Sequence, residues 1–201
     1  MTQPSSFLED PEDTSEEIMR ATYVALCEHG YSDLTIQRIG EEFPKSESLL
    51  YHHYDSKDDI LLNFLEFMLG QMEERLPLQD AGGADDHVER IVELTFEPGG
   101  FAGDGFARAL VELRAQAAHD EAYREHFGRS DHFVRKYIEH TIRSGIEQGV
   151  FREVDPGETA ALFQVAFLGA VTQGVTSDDG VLEDARVEFE RYVRECLRSE
   201  D

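Results

Sequence analysis

The stretch SLLYHHYDSKDD, from Ser48 to Asp59, decides how this sequence is interpreted. Two adjacent histidines lie between two tyrosines, and a lysine follows them in a chain that contains only three lysines. Polar aromatic rings, imidazoles and an ammonium group so close together favour contact with a polar partner over simple burial. The rest of the chain is acidic, so the partner has to be inferred from the sequence around this stretch.

The composition limits the classes of protein to which the chain can belong. Its 201 residues suit one or two domains with a real hydrophobic core. Hydrophobic residues make up 40% of the chain and form no long apolar run, and the acidic N-terminus lacks the order of a signal peptide. Cys27 and Cys196 lie far apart in helical patterns, which indicates buried thiols rather than a disulfide framework. We expect a cytoplasmic protein with no membrane contact.

The formal net charge of −25 counts at first against nucleic acid as the partner. However, the basic residues are 15 arginines and only 3 lysines, and the acidic residues are spread along the whole chain. This pattern resembles that of proteins adapted to molar salt, where the Debye length is about 3 Å and long-range repulsion from DNA nearly vanishes. The charge therefore leaves the choice of partner open.

In the N-terminal third, the residue pattern predicts a flexible tail at residues 1–13 followed by a series of helices. Thr14 and Glu17 have the spacing of a capping box, and Gly30 is in the position where a helix usually stops. The apolar face of this first helix consists of Ile18, Ala21, Ala25 and Leu26.

Three further helices follow in quick succession. The second begins near Ile36 and ends at Pro44, with Ile36, Ile39 and Phe43 directed inward. Ser46 is predicted to cap a third helix that reaches Tyr54. Ser56 and Asp59 begin a longer fourth helix, on which Ile60, Phe64, Met68, Met72 and Leu76 recur every four residues. Three short helices in about 45 residues, the last two joined by a tight turn, are typical of a helix-turn-helix motif.

The residues of this region also resemble a known family. The matching positions are Ile18, Ala21, Gly30, Tyr31, Thr35, Ile39, Ser46, Leu50, Tyr51, His53, Tyr54, Ser56, Lys57 and Leu61. Their order is similar to the N-terminal domain of TetR-type regulators over residues 15–65 without a gap. The resemblance implies an all-α protein. The resemblance also implies a helix-turn-helix DNA-binding domain at residues 14–60 and an effector-binding and dimerisation domain at residues 61–201.

The resemblance gives the opening stretch a role in DNA binding. In this family the third helix enters the major groove, and the aromatic-histidine-aromatic segment and the lysine beyond it hold phosphates. Residues implied to face base edges are Lys45, Ser46, Glu47, Ser48 and Leu49. Residues implied to contact the DNA backbone are Thr35, Arg38, Tyr51, His53 and Lys57, while His52 stays undecided and Tyr54 is expected in the core. From Leu34 to Lys57 the net charge is −1, whereas the chain average predicts about −3.

The turn of the motif departs from the family pattern. It reads Phe43-Pro44-Lys45-Ser46 where a glycine is usual, and Ser48 stands where another glycine is common. Because proline cannot adopt a positive φ, this turn must differ in shape from the glycine version. The departure motivates an alternative, in which a helical small-molecule-binding protein has kept the fold and lost operator binding.

The C-terminal part predicts helices near residues 57–78, 86–96, 104–118, 120–148, 157–175 and 181–198. Residues 149–171 resemble the start of the dimerisation helices of the same family. Two apolar stripes on the last two helices predict a four-helix homodimer interface that includes Phe163, Phe167, Ala170, Leu182, Phe189 and Tyr192. The family also implies a cavity for an unknown small apolar or amphipathic effector. Its candidate lining is Phe64, Phe67, Met68, Phe106, Arg114, Tyr137, Thr141, Phe163, Phe167 and Gln173.

An enzyme is the least favoured interpretation. His119, His126, His132 and His140 lie near carboxylates but in no recognised metal-ligand spacing, so surface or structural histidines are expected. The sequence contains no phosphate-binding glycine loop, no nucleophile-elbow serine and no neighbouring cysteine and histidine. We therefore expect no catalytic residue, no metal and no cofactor. The prediction is a ligand-released repressor that binds double-stranded operator DNA as a homodimer.

Overall fold

A computed structural model describes residues 10–75, 83–96, 103–177 and 180–199. Nine α-helices lie in these ranges, and one isolated β-bridge joins Phe151 to Arg198. The helices are α1 (Thr14–Asp33), α2 (Ile36–Glu42), α3 (Ser48–His53), α4 (Lys57–Arg75), α5 (Ala84–Phe96), α6 (Gly103–Gln116), α7 (Glu121–Glu147), α8 (Pro156–Thr176) and α9 (Val181–Tyr192). The predicted all-α fold with an N-terminal helix-turn-helix is confirmed.

The first helix is capped one residue earlier than predicted. The carboxylate of Asp13, not the hydroxyl of Thr14, accepts the backbone N–H of Glu16 at 2.9 Å. Glu16 in turn accepts the backbone N–H of Glu12 at 2.7 Å, so the role predicted for Glu17 belongs to Glu16. An aspartate caps a helix as well as a threonine does, and it adds a negative charge at the positive end of the helix dipole. The remaining predicted tail, residues 1–9, lies outside the described residues.

Gly30 interrupts the helical geometry of α1. Its φ of +69° breaks the helical geometry, and one further turn follows as far as Asp33. The carbonyl of Gly30 then accepts the N–H of Leu34 at 3.1 Å, which closes that turn. The helical geometry therefore ends at Gly30 as predicted, through a positive φ, and one further turn follows the break.

The turn between α2 and α3 forms without a side-chain cap on α3. Phe43 is extended, and the hydroxyl of Ser46 bonds to the hydroxyl of Ser48 at 2.7 Å rather than to the helix backbone. The predicted Ser46 cap was wrong, and α3 begins two residues later at Ser48. The predicted Ser56 cap of α4 is confirmed, because its hydroxyl accepts the N–H of Asp59 at 3.1 Å.

Contacts divide the chain into two compact units. The first contains α1 to α4, α6 and the start of α7 up to Gly128, and the second contains α5, the rest of α7, α8 and α9. The predicted division at residue 60 separates DNA binding from effector binding. Because that division rests on function and not on contacts within the chain, it stays a prediction.

The core of the first unit is built around α1. Its buried face includes all four residues that the sequence placed there, together with Met19 and Tyr23. The Tyr23 ring packs against Phe106 and Phe64, with centroid distances of 5.5 and 6.4 Å, so α1, α4 and α6 share one aromatic cluster. Ile39 of α2 and Leu50 of α3 are fully buried, and they fasten the helix-turn-helix to this core. Met68 and Met72 on the predicted face of α4 are half-buried, and Leu76 lies outside the described residues.

The core of the second unit contains apolar residues of α5, α7, α8 and the C-terminal segment. Phe189 of α9 lies at its centre, with its ring centroid 4.7 Å from that of Phe163 and 5.5 Å from that of Phe96. Beyond Tyr192 the helix widens into one π-helical turn, Val193–Leu197, which buries Val193 and Leu197. The helix predicted for residues 181–198 therefore changes from α-helical to π-helical geometry before its end.

Helix α8 is the one described helix that is long and apolar enough to cross a membrane, by length and composition only. Helices that pack against other helices in soluble proteins pass the same test. Four of its residues, Thr159, Ala160, Phe163 and Ala170, are buried within the chain, and the others are half-buried or exposed.

Candidate nucleic-acid interface

Helix α3 presents almost its whole surface to solvent. Among its six residues only Leu50 is fully buried, and this one contact orients the helix on the core. Ser48, His52 and His53 are exposed, and the Tyr51 side chain is 57% exposed. Large aromatic side chains normally bury most of their surface, so an exposed tyrosine beside exposed histidines indicates a contact surface. Tyr54, at the end of the helix, is only half-buried, whereas the sequence analysis expected it in the core.

A close approach between α2 and α3 fixes the angle of the motif. A Cβ atom on Gly40 would lie 2.7 Å from Cγ of Glu47, so only glycine allows the Glu47 side chain to lie against α2. Glu47 is half-buried there, with no side-chain hydrogen bond to the helix backbone. The sequence placed Glu47 at base edges but did not single out Gly40. An unexplained glycine within a short helix could have indicated the close contact.

The start of α2 places two predicted backbone-contacting residues together. Thr35 caps α2, because its hydroxyl oxygen accepts the N–H of Arg38 at 3.2 Å. The guanidinium group of Arg38 donates to the carbonyl oxygen of Asp33 at 2.5 Å. Since that acceptor is neutral, Arg38 keeps its positive charge at the surface.

Lys45, in the turn, is held by the first turn of α1. Its ammonium group forms an ion pair with Glu17 and donates to the hydroxyl of Thr14 at 2.7 Å. The ion pair offsets the charge of Lys45 in the free protein. The leucine beyond it, Leu49, is half-buried, whereas Ser46 is exposed.

Lys57, the first residue of α4, has only uncharged partners among the described residues. Its ammonium nitrogen donates to the carbonyl oxygen of Tyr31 at 2.9 Å and lies 4.1 Å from the centroid of the Tyr31 ring. These contacts orient the side chain without neutralising it, and the ammonium group retains further donors. Its place at the N-terminus of a long helix adds the positive end of the helix dipole.

A cluster of polar groups lies behind Lys57. The carboxylate of Asp58 accepts the hydroxyl of Tyr123 at 2.8 Å and the hydroxyl of Tyr31 at 3.1 Å. Burial, and then the Asp58 carboxylate, raise the pKa of both tyrosines, so both hydroxyls remain donors. Glu112 of α6 accepts the backbone N–H of Tyr31 at 2.5 Å. We call Tyr31, Lys57, Asp58, Glu112 and Tyr123 the Asp58 cluster. The sequence analysis missed it, because its members lie on four different helices.

The residues proposed for an effector site divide between the two units. Phe64, Phe67, Met68, Phe106 and Arg114 belong to the first unit, and Tyr137, Thr141, Phe163, Phe167 and Gln173 belong to the second. Phe64 and Phe106 are buried in the aromatic cluster with Tyr23, and Thr141 donates to the carbonyl oxygen of Tyr137 at 3.1 Å. Arg114 stacks over the Phe127 ring at 5.0 Å. Their role as a lining stays a prediction.

The residues predicted for the dimer interface face the interior of their own unit. Phe163 and Ala170 are buried, and Leu182, Phe189 and Tyr192 pack against the same core. The exposed apolar side chains of α8 and α9 are different ones, namely Leu162, Val165, Val181 and Val187. Intrachain packing therefore uses most of the stripe that the sequence analysis assigned to the partner, and the dimer interface stays a prediction.

The described residues contain no group of three or more histidine, cysteine or acidic side chains that could hold a metal ion. Among the histidines considered in the sequence, His126 is buried with Nδ1 3.4 Å from a carboxylate oxygen of Glu66. His119 is exposed.

Comparison with known proteins agrees with this geometry. Residues 18–64 match the family described as "Bacterial regulatory proteins, tetR family". Residues 84–198, more than half of the chain, match "BetI-type transcriptional repressor, C-terminal". The chain belongs to the TetR family of transcriptional regulators. TetR regulators bind operator DNA, and the match at residues 18–64 includes the helix-turn-helix of this chain.

Individual relatives extend the TetR assignment over nearly the whole chain. A TetR regulator from Haloarcula marismortui is 34% identical, with a TM-score of 0.79, and the match covers 94% of this chain and all of that one. A putative regulator from Saccharomonospora viridis, solved in complex with choline, is 22% identical with the same TM-score, over 92% and 98% of the two chains. At that identity the likeness shows the fold alone. HTH-type transcriptional regulator HbdR from Aromatoleum sp. is 34% identical over 89 residues, which are 43% of this chain and 38% of HbdR.

Proposed function

We propose that this TetR-family protein is a repressor that binds operator DNA as a homodimer and leaves it when a small molecule binds. The observation that carries the DNA-binding part is the exposed α3, beside two cations, Arg38 and Lys57, whose partners are neutral. The Ser48 side chain on α3 can read bases, while Tyr51, Lys57 and Arg38 can hold phosphates and set the register. The −1 charge of the motif keeps local repulsion from DNA small.

The homodimer is supported by the surface of α8. Leu162, Val165 and Gly169 follow one another at helical spacing, and all three are exposed. Space next to Gly169 is open, since a Cβ atom there would meet nothing within 4 Å. Val187 adds an exposed apolar side chain from α9. Small and branched apolar residues on two neighbouring helices suit a four-helix contact with a second copy.

The effector that we propose is a small amphipathic molecule, and choline is the first candidate to test. The motive is the choline complex of the Saccharomonospora regulator and the BetI-type match of the C-terminal part. A cation would be attracted by a chain of net charge −25, and aromatic rings of the second unit offer surfaces for a quaternary ammonium group.

We also propose that the protein works in the cytoplasm of a salt-adapted cell and has no catalytic activity. The acidic composition and the 34% identity to a Haloarcula regulator support the salt adaptation. The absence of the usual catalytic motifs from the sequence supports the second point. A measured turnover, or a metal bound in stoichiometric amount, would contradict it.

The test uses a complex with the DNA upstream of the protein's own gene, formed in molar potassium chloride. Choline and a set of apolar and amphipathic compounds are then titrated into it. We expect a dimer on the DNA and release by one compound class. A folded protein that binds such a compound but no DNA would instead support the helical ligand-binding alternative. The proline-containing turn, Phe43-Pro44-Lys45-Ser46, is the feature that favours that alternative.

A further inference from the structure

The first turn of α4 contains a cation and an anion side by side that do not pair with each other. Both side chains contact Tyr31, and the chain has 43 acidic residues, so an ion pair of Lys57 with Asp58 or with another acid would be an available arrangement. Among the described residues, Lys57 instead contacts the carbonyl oxygen and the ring of Tyr31. Asp58 instead accepts two tyrosine hydroxyls.

The hydrogen bonds of the two tyrosine hydroxyls compete with an ion pair between the Asp58 carboxylate and Lys57. Tyr123 is the stronger of the two holders, because its side chain is 1% exposed and its hydrogen bond is the shorter. Hydrogen bonds to a carboxylate are stronger than those between neutral groups, so this arrangement resists rotation of Asp58 toward the ammonium group. Tyr31 and Tyr123 also meet edge to face, with centroids 6.5 Å apart, which fixes both rings.

Hydrogen bonds also fix the backbone of Tyr31. The Glu112 carboxylate accepts the Tyr31 N–H at 2.5 Å and would lie 2.9 Å from a Cβ atom on Gly30. The carbonyl oxygen of Tyr31 accepts the hydrogen bond from the Lys57 ammonium group. Helices α6 and α7 therefore determine where the Lys57 ammonium group lies and which charges it meets.

We propose that Tyr123 and Asp58 are positioning residues for DNA binding, which keep Lys57 uncompensated and directed to a phosphate. The inference rests on the proposed DNA-binding role of Lys57. When the Tyr123 hydroxyl is removed, Asp58 can turn and pair with Lys57, and the phosphate then has to compete with an intramolecular carboxylate.

The test compares operator affinities and their salt dependence for five forms of the full-length protein. These are the wild type, Lys57→Ala, Tyr123→Phe, Asp58→Asn and the double variant Tyr123→Phe/Asp58→Asn. We expect Tyr123→Phe to weaken binding about tenfold, because each half of the dimer loses most of one phosphate contact. For the same reason the slope of log affinity against log salt concentration should become more positive than that of the wild type by up to about two. The double variant should regain most of the lost affinity, since asparagine cannot neutralise Lys57.

The control is Thr95→Val, which removes a buried hydroxyl in the second unit that donates only to the carbonyl oxygen of Ile91 in its own helix. It should leave both affinity and slope unchanged. A purely structural role for the cluster predicts the opposite pattern, in which Asp58→Asn adds a further loss to Tyr123→Phe without a change in slope. That pattern would overturn the proposal.

The other outcomes separate this inference from the proposed function. If the wild type binds no DNA, or Lys57→Ala has no effect, the DNA-binding role of Lys57 itself is wrong. If Lys57→Ala weakens binding and Tyr123→Phe does not, the positioning role alone is wrong. If Tyr123→Phe does not fold by circular dichroism, Tyr31→Phe takes its place. It removes the weaker of the two hydrogen bonds to the same carboxylate and keeps the ring beside Lys57, so a smaller loss with the same rescue is expected.

Discussion

Among single residues, the three cations of the helix-turn-helix motif differ in what already offsets their charge. Lys45 is paired with Glu17, whereas Arg38 and Lys57 donate to backbone carbonyl oxygens. To bind Lys45, a DNA phosphate must displace the Glu17 carboxylate. To bind Arg38 or Lys57, it has to displace only an uncharged backbone carbonyl oxygen. We therefore expect Lys57 to contribute more to DNA affinity than Lys45 does, although both are exposed to the same partner.

Removal of the Glu17 charge should release Lys45. We expect Glu17→Gln to tighten DNA binding about threefold and to steepen the log–log salt slope by up to about two, because each half of the dimer gains one free cation. Fluorescence anisotropy with labelled operator DNA measures both. Glu28→Gln removes the same charge from an exposed position on α1 and serves as the control. Equal effects of the two variants would show that only the overall charge matters.

The two cysteines should react at very different rates. Burial raises the pKa of the Cys27 thiol to about 11, whereas Cys196 is exposed. At pH 8 roughly one Cys27 in a thousand is then a thiolate, and the thiolate is the reactive form. Iodoacetamide followed by mass spectrometry should show alkylation of Cys196 first, with Cys27 reacting only as the pH rises toward 11. Equal rates at pH 8 would contradict the buried position of Cys27.

The sequence singled out the exposed residues of the candidate interface more readily than the residues that hold them in place. The residue types of Tyr51, His53 and Lys57 are unusual enough in this chain to stand out without a structure. The support consists of ordinary residues, such as Gly40, Tyr31 and Tyr123, whose roles depend on contacts between helices far apart in sequence. Periodicity in one helix carries no information about such contacts.

Among the helices, α8 and α9 each have two apolar faces with different uses. The inner face contains Phe163 and Phe189, which close the core of the second unit. The outer face contains Val165, whose side chain is 68% exposed in the isolated chain. A helix that needs cover on both faces is the element-level reason to expect a dimer.

Substitutions on the two faces should have different effects. Val165→Asp should give a folded monomer, because a charge buried without a partner in an apolar interface costs several kcal/mol while the intrachain core stays intact. Phe189→Asp should instead unfold the second unit. Light scattering with circular dichroism distinguishes the two results. Val150→Asp, at an exposed valine after α7, should leave the dimer unchanged. A dimeric Val165→Asp protein would show that α8 is not the interface.

The bounds of most helices followed from the sequence, and the exceptions have physical causes. Asp13 replaced Thr14 as the cap because either side chain can accept the free N–H groups, so sequence alone does not choose between them. One more turn followed Gly30 because tertiary contacts of Tyr31 stabilise it. The π-helical turn at Val193–Leu197 ends in a bridge between Arg198 and Phe151, a contact over 40 residues that local patterns do not contain.

For the molecule as a whole, the acidic charge predicts an unusual dependence on salt. Each half of a dimer offers few uncompensated cations to DNA, so few counterions are released on binding. A chain of net charge −25 also repels itself when screening is weak. We expect operator affinity to be flat or to rise from about 0.2 to about 2 M potassium chloride, and the fold to loosen at the low end. A steep loss of affinity by a protein that circular dichroism shows to be folded throughout would contradict the proposed salt adaptation.

Sequence-specific DNA binding through α3 is the central claim, and it is tested most directly by the ratio of two affinities. Binding of the wild type to the DNA upstream of its own gene is compared with binding to a shuffled sequence of equal length, in molar potassium chloride. We predict a ratio of at least about 10³, the lower end for specific regulators. The double variant Ser46→Ala/Ser48→Ala, at two exposed positions assigned to base edges, should reduce this ratio toward one, with its fold intact. Equal affinities of the folded, dimeric wild type for the two DNAs would contradict the account.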